Sequence, residues 1–114
     1  MEEKIKMSIL CGIYGNLLTE KQHQILDDYY NNDLSLSEIA ENNDITRQAV
    51  NDMINKGKAK LIEYEDKLKF MDKVLNQEKI VGEIIEELEN SENKELSKAK
   101  INKISKKLKT LIDE

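Results

Sequence analysis

The chain has 114 residues, no proline or tryptophan, four tyrosines and one phenylalanine as its aromatics, and a net charge of −5. That length holds one compact domain with room for a helical arm, and the excess of Lys, Glu, Asn, Ile and Leu suits long solvated helices and excludes a sheet protein with frequent tight turns. Glu2 and Glu3 stand where a secretory signal needs bases, and no apolar run approaches the roughly 20 residues of a membrane span, so an all-α cytoplasmic protein without membrane insertion is expected.

In chain order, Ile5, Ile9, Ile13 and Leu17 recur every four residues with Leu10 and Tyr14 alongside, which predicts a first amphipathic helix. The lone Cys11 sits among these apolar residues; it excludes an intramolecular disulfide and reads as a small buried hydrophobe. Thr19 followed by Glu20, Lys21 and Gln22 is a capping-box arrangement, so a second helix starts there, runs to about Asn31 and turns Ile25, Leu26, Tyr29 and Tyr30 inward. Ser35-Leu36-Ser37-Glu38 is a second such box. It opens a short helix with Leu36, Ile39 and Ala40 inward, ending in Asn42-Asn43-Asp44.

Thr46 then caps a long helix whose first turns face inward at Ala49, Val50, Met53 and Ile54. Ile54, Leu61, Leu68 and Leu75 follow at a spacing of seven, which fits one long helix or two broken near Lys69. Val74, Val81 and Leu88 with Ile84 and Ile85 continue to Glu89; Asn90-Ser91-Glu92-Asn93 is a polar break; Ile101, Ile104, Leu108 and Leu111 form a last lysine-rich helix. The expected organisation is a helix-turn-helix domain over residues 1–68 and a C-terminal helical extension over 69–114. The extension is either an intramolecular hairpin or a dimerisation arm, and the surplus of apolar spacing makes a homodimer the expected state.

Charge divides unevenly. Residues 1–68 hold eight bases and thirteen acids, whereas Thr46 to Lys60 holds four bases and one acid. In the tail, Glu83 to Glu92 holds five acids and Lys94 to Lys109 seven lysines. Lys98, Lys100, Lys103, Lys106, Lys107 and Lys109 fit either a phosphate-binding surface or pairing with Glu83, Glu86, Glu87 and Glu89 of the preceding helix.

Leu36 to Ile54 has the grammar of a helix-turn-helix: a short helix with a small residue at Ala40, a polar turn, Ile45, and a capped second helix. The second helix of such a unit lies in the DNA major groove, where Arg suits guanine and Gln suits adenine. Leu36-Ser37-Glu38-Ile39-Ala40-Glu41 with Ile45-Thr46-Arg47-Gln48-Ala49-Val50 resembles the C-terminal DNA-reading region of bacterial σ70-type sigma factors. The chain is similar, more closely, to the YlxM family of small bacterial helix-turn-helix proteins, through residues 17–22, Tyr29-Tyr30, residues 33–36, the helix-turn-helix and Tyr64-Glu65-Asp66-Lys67-Leu68.

The resemblance implies a sigma-region-4-like helical bundle and a regulatory role connected with the signal recognition particle pathway, and no known reaction. It places Arg47, Gln48, Asn51, Asp52 and Asn55 toward the groove; Thr46 and Lys56 complete the candidate nucleic-acid-binding set. Asp52 departs from the preference of a DNA reader, since phosphate repels it unless it accepts from a cytosine amino group. DNA is therefore the expected partner, with RNA second. The alternative is an interaction module that binds a protein or ribonucleoprotein component of the signal recognition particle without reading DNA. No nucleophile motif, phosphate-cradling glycine loop or zinc spacing is present in the sequence, so neither an enzyme nor a cofactor is expected. His23 reads as a surface or half-buried side chain, and Glu83 to Glu89 as a solvated helix face.

Overall fold

The computed structural model describes residues 1–90 and 97–113, and every regular element among them is helical. The order is α1 (Glu3–Tyr14), a 3-10 turn (Gly15–Leu17), α2 (Glu20–Tyr30), α3 (Leu36–Asn43), α4 (Arg47–Leu68), α5 (Phe70–Glu89) and α6 (Lys98–Asp113). The protein is all-α. Of the polar break expected at Asn90-Ser91-Glu92-Asn93, all but Asn90 lies outside the described residues. The chain divides after Met71 into two compact units.

Three of the helix starts are written in capping side chains. Thr19 Oγ1 accepts from the Gln22 amide at 3.2 Å and Thr46 Oγ1 from the Ala49 amide at 3.0 Å. At Ser35 both halves of the box form: Ser35 Oγ accepts from the Glu38 amide, and a Glu38 carboxylate oxygen from the Ser35 amide, each at 3.1 Å. The box read at Thr19 is only half made. Gln22 turns into the core instead of back onto the cap, because it covers the point where α2 meets α4.

In the first unit α1, α2, α3 and the first turns of α4 close around Met7, Leu10, Tyr14, Ile25, Leu26, Ile39, Val50, Ile54 and Leu61. Two expectations about faces need correction. The buried stripe of α1 is Met7, Leu10, Cys11 and Tyr14, not the Ile5-Ile9-Ile13-Leu17 series: Ile5 and Leu17 are more than half exposed, and Ile9 and Ile13 only flank the core. The two stripes lie about half a turn apart on the same helix, and the set containing Tyr14 is the one that can reach α4.

The seam of sevens is also not one surface. Ile54 and Leu61 are buried in the first unit, Leu68 is 46% exposed, and the helix breaks at Lys69, which takes a left-handed conformation at φ 57°. A spacing of seven marks one face of a helix whether that face meets its own domain or another chain. Here it meets α1 and α2.

In the second unit, Lys103 Nζ lies 2.9 Å from Glu87, and Lys107 Nζ lies within 3.3 Å of both Glu83 and Glu87. Rising numbers on α6 thus meet falling numbers on α5, so the two helices form an antiparallel hairpin.

Candidate nucleic-acid interface

The candidate surface depends on how closely α4 is held. Gly57, on the inner face of α4, is buried, and a Cβ there would stand 2.5 Å from Leu26 Cδ1 and 3.2 Å from Gln22 Cγ. Only a hydrogen fits in that contact, so α2 and α4 approach through it. On the other side, Ile39 and Ala40 bury the inner face of α3. Ala40 is small where the two helices of the motif converge, and its carbonyl accepts from the Ile45 amide at 3.1 Å. The turn between them is made by Asp44 at φ 53°, ψ 46°, a left-handed conformation that Asp tolerates better than most residues. Asn43 steadies the end of α3 by donating to the Ile39 carbonyl at 2.8 Å and accepting from Lys21 at 2.5 Å.

That packing leaves the outer face of α4 and one flank of it open. Arg47, Asn51 and Asn55 form one row at fourfold spacing, and Gln48, Asp52 and Lys56 form the next. Thr46, Arg47, Gln48, Asp52, Asn55 and Lys56 are exposed and Asn51 is half-buried. All seven candidate residues lie within the first three turns of α4 or at its cap. Val50 and Ile54 turn into the core and fix the rotation of the helix, so that Gln48, Asp52 and Lys56 face outward while Arg47, seven positions before Ile54, is exposed at the N-terminal margin of the inner side.

Gln48 Nε2 donates to Asp52 Oδ1 at 3.1 Å. The carboxylate that looks out of place on a reading helix therefore has a neighbour to hold. Gln48 keeps its amide oxygen and one N–H for another partner, so the pair still presents the donor and acceptor that suit an adenine edge.

Of the four bases between Thr46 and Lys60, Lys58 is drawn aside into an ion pair with Glu3. Arg47, Lys56 and Lys60 stay on the surface and make no ion pair among the described residues. Lys60 extends the Gln48-Asp52-Lys56 row by another four positions; the sequence set stops short of it, although the spacing alone would have included it. The first amides of α4, apart from the one taken by Thr46, add the positive end of the helix dipole on the same side.

Of the tail lysines, Lys103 and Lys107 are engaged by Glu83 and Glu87, which carries part of that basic run into the hairpin. A hollow lined by Glu3, Lys4, Tyr29, Tyr30, Asp33 and Leu34 draws no residue from α3 or α4. No helix among the described residues is long and apolar enough to cross a membrane.

Residues 1–110 match the family model described as "Putative helix-turn-helix protein, YlxM / p13 like", designated UPF0122. A UPF0122 protein of Clostridium kluyveri is 50% identical over 99 residues, covering 84% of this chain and 89% of that protein. One from Fusobacterium nucleatum is 53% identical over 70 residues, 61% of this chain and 68% of its own. One from Malacoplasma penetrans is 58% identical over 66 residues, 58% of this chain and 62% of its own.

Proposed function

The chain belongs to the YlxM/p13-like UPF0122 family of helix-turn-helix proteins, and from that premise we propose that it is a cytoplasmic regulatory protein that binds nucleic acid, DNA first and RNA second, through the open face of α4. Its work is binding, not catalysis, and two copies act together. Residues 1–68 supply the reading domain and residues 69–114 the extension that assembles it. The observation that carries this function is the double row on α4, with Arg47 and Gln48 at the end of the helix that enters a groove in such motifs.

In use, Thr46 and the first amides of α4 would set the helix against a phosphate, which fixes position and carries no sequence information. Arg47 and Gln48 would read base edges, Asn51 and Asn55 would extend the reading along the groove, and Lys56 would take a second phosphate. Selection from random duplexes at low salt tests the proposal. The expected result is an enriched motif whose binding is salt-sensitive and is lost on Arg47→Ala or Gln48→Ala; enrichment of nothing above background would end the DNA assignment.

One observation favours a second function. Glu38, Glu41, Asp44 and Asp52 are all exposed on the helix-turn-helix, and such acids repel phosphate but suit a basic protein surface. The same face would then dock on a protein or ribonucleoprotein component of the signal recognition particle and act in that pathway without reading DNA. Binding of the purified particle protein and its RNA, separately, decides between the two: nucleic-acid reading expects no affinity for the protein alone.

A further inference from the structure

The α5–α6 hairpin has a second apolar face that its own packing does not use. The line along which the helices meet runs through Ile80, Ile84 and Glu87 on α5 and through Ile104, Lys107 and Leu111 on α6. Ile84 is buried and the others are half-buried. One position after five of these residues come Val81, Ile85 and Leu88 on α5, and Leu108 and Ile112 on α6, all exposed, while the sixth, Ile104, is followed by the exposed Ser105. Val74 and Ile101 extend the two series by seven residues and are exposed as well.

One position along a helix is a rotation of about 100°. In antiparallel helices, the same rotation away from a shared contact line swings both stripes to the same side. The seven side chains therefore lie on one side of the hairpin and form an apolar face there, interrupted in the α6 stripe by Ser105.

Its two edges carry opposite charge. Beyond the stripe of α5 stand Glu86 and Glu89, with Glu78 at its margin between Val74 and Val81; beyond the stripe of α6 stand Lys98, Lys106 and Lys109, and all six are exposed. One edge is acidic and the other basic.

We propose that this face docks on the same face of a second copy of the chain, closing an antiparallel four-helix bundle whose twofold axis runs parallel to the helices. That axis lays α5 of each copy over α6 of the other, so every neighbouring pair is antiparallel and each acidic edge meets a basic one. An axis running across the helices would instead set α5 against α5 and acid against acid, which costs energy.

Charge thus selects both the occupant and the symmetry. A face about 24 Å long and about 20 Å wide covers roughly 500 Å² per copy, or about 1,000 Å² for the pair, which is the lower limit for a specific interface. Bundles of this kind pack at small crossing angles with short-looped hairpins as their units. The inference rests on the two-copy part of the proposed function and says where the copies meet; it is independent of whether α4 reads nucleic acid.

Sedimentation equilibrium of the full chain tests it, with helix content followed by circular dichroism. The expected mass is twice the 13.2 kDa of the chain. Ile85→Glu and Leu108→Glu should each weaken association at least about tenfold, as charge in the centre of an apolar interface does. Glu86→Lys with Glu89→Lys should weaken it, as should Lys106→Glu with Lys109→Glu, and the four changes together should restore it; these positions are exposed, so the fold is not at stake.

A mass that stays at 13.2 kDa at every concentration overturns self-association altogether. A dimer that withstands Ile85→Glu and Leu108→Glu overturns this surface alone. A dimer that the four-way swap fails to restore overturns the axis. Arg47→Ala leaves all of these unchanged, so loss of nucleic-acid binding is read separately.

Discussion

Tyr14 and Glu65, fifty-one positions apart, meet in the core of the first unit, where the tyrosine hydroxyl donates to a carboxylate oxygen at 2.7 Å. The same oxygen accepts from the Met71 amide at 2.9 Å, and the tyrosine oxygen accepts from the Phe70 amide at 3.1 Å. Helix α5 begins at those two amides, directly after the left-handed Lys69. A helix start needs acceptors for its first amides, and these two come from α4 and α1.

Removing that acceptor should be expensive, because buried donors are left unpaired at about 1–3 kcal/mol each. Glu65→Ala is expected to lower the stability of the first unit by about 2–4 kcal/mol and Tyr14→Phe by about 1–2 kcal/mol. Thermal denaturation measures the loss. Hydrogen exchange locates it: the Met71 amide should exchange faster in Glu65→Ala, and unchanged exchange there would show that the carboxylate does not hold the start of α5.

The Gln48–Asp52 pair makes the second prediction, and its sign separates the two proposed functions. Asp52→Asn removes a negative charge from the open face while keeping an oxygen that can hold Gln48. For a nucleic-acid reader, affinity for all duplexes should rise by about three- to tenfold at low salt. Asp52→Ala also releases Gln48 and should blur the base preference at one position, about 1 kcal/mol of discrimination. If the face binds a basic protein surface, both changes weaken binding.

The helix-turn-helix was legible because its determinants are local. Ser35, Glu38 and Thr46 each act within three residues, and the structure uses each as its type suggests, while Ala40 is buried on the inner face of α3. The i, i+4 rows of the candidate surface were legible for the same reason. Glu65 was not: it sits in the run Glu63-Tyr64-Glu65-Asp66, and only the arrival of Tyr14 from α1 distinguishes it from a solvated acid. The stop at Lys69 was one of two alternatives the sequence left open, because Lys69 is not the glycine or asparagine that usually marks a left-handed cap. Ile54 and Leu61 carry a spacing that serves a domain core and a coiled seam equally, so pattern alone could not say which surface they meet.

A third prediction concerns acid. A hydrogen bond from Lys103, joined by one from Lys107, holds the Glu87 carboxyl below the usual carboxylate range, against an opposing desolvation. A depressed value in the folded hairpin means that the unfolded chain takes up this proton first. The contribution of Glu87 is thus fully present above the ordinary carboxylate range and is lost as pH falls through the depressed value. Acid titration of helix content should show that loss, and Glu87→Gln should flatten it within this window. Identical curves for the two proteins would assign the transition to other carboxylates.

Cys11 gives a prediction at the other end of the scale. Burial, with a smaller contribution from Asp27, pushes its thiol up to about 11. Below the ordinary thiol range both folded and unfolded chains hold the proton, and above it the unfolded chain loses the proton first, so stability should decline as pH rises from about 9. The thiol is also shielded from reagents. Labelling by a thiol reagent at mild pH should proceed only as fast as the first unit opens, and Cys11→Ala should reduce the alkaline decline, to which Tyr30, also raised by burial, contributes as well; rapid labelling of the folded chain would contradict both burial and protonation.

The last prediction sets one substitution in two places. At Gly12, on the exposed side of α1, an added Cβ meets nothing within 4 Å, so Gly12→Ala should stabilise the protein by about 0.4–1 kcal/mol through the unfolded chain and helix propensity. At Gly57 the same methyl would lie 2.5 Å from Leu26 Cδ1, and Leu26 is fully buried with little room to yield. Gly57→Ala should therefore destabilise by about 1–3 kcal/mol even though alanine is the better helix former. Relief requires α4 to move away from α2, and α4 carries Arg47 and Gln48. Nucleic-acid affinity should consequently fall at temperatures well below unfolding, while the salt dependence, which counts phosphate contacts, changes little. If Gly57→Ala melts lower but binds as before, the close α2–α4 contact sets stability alone and not the placement of the reading helix.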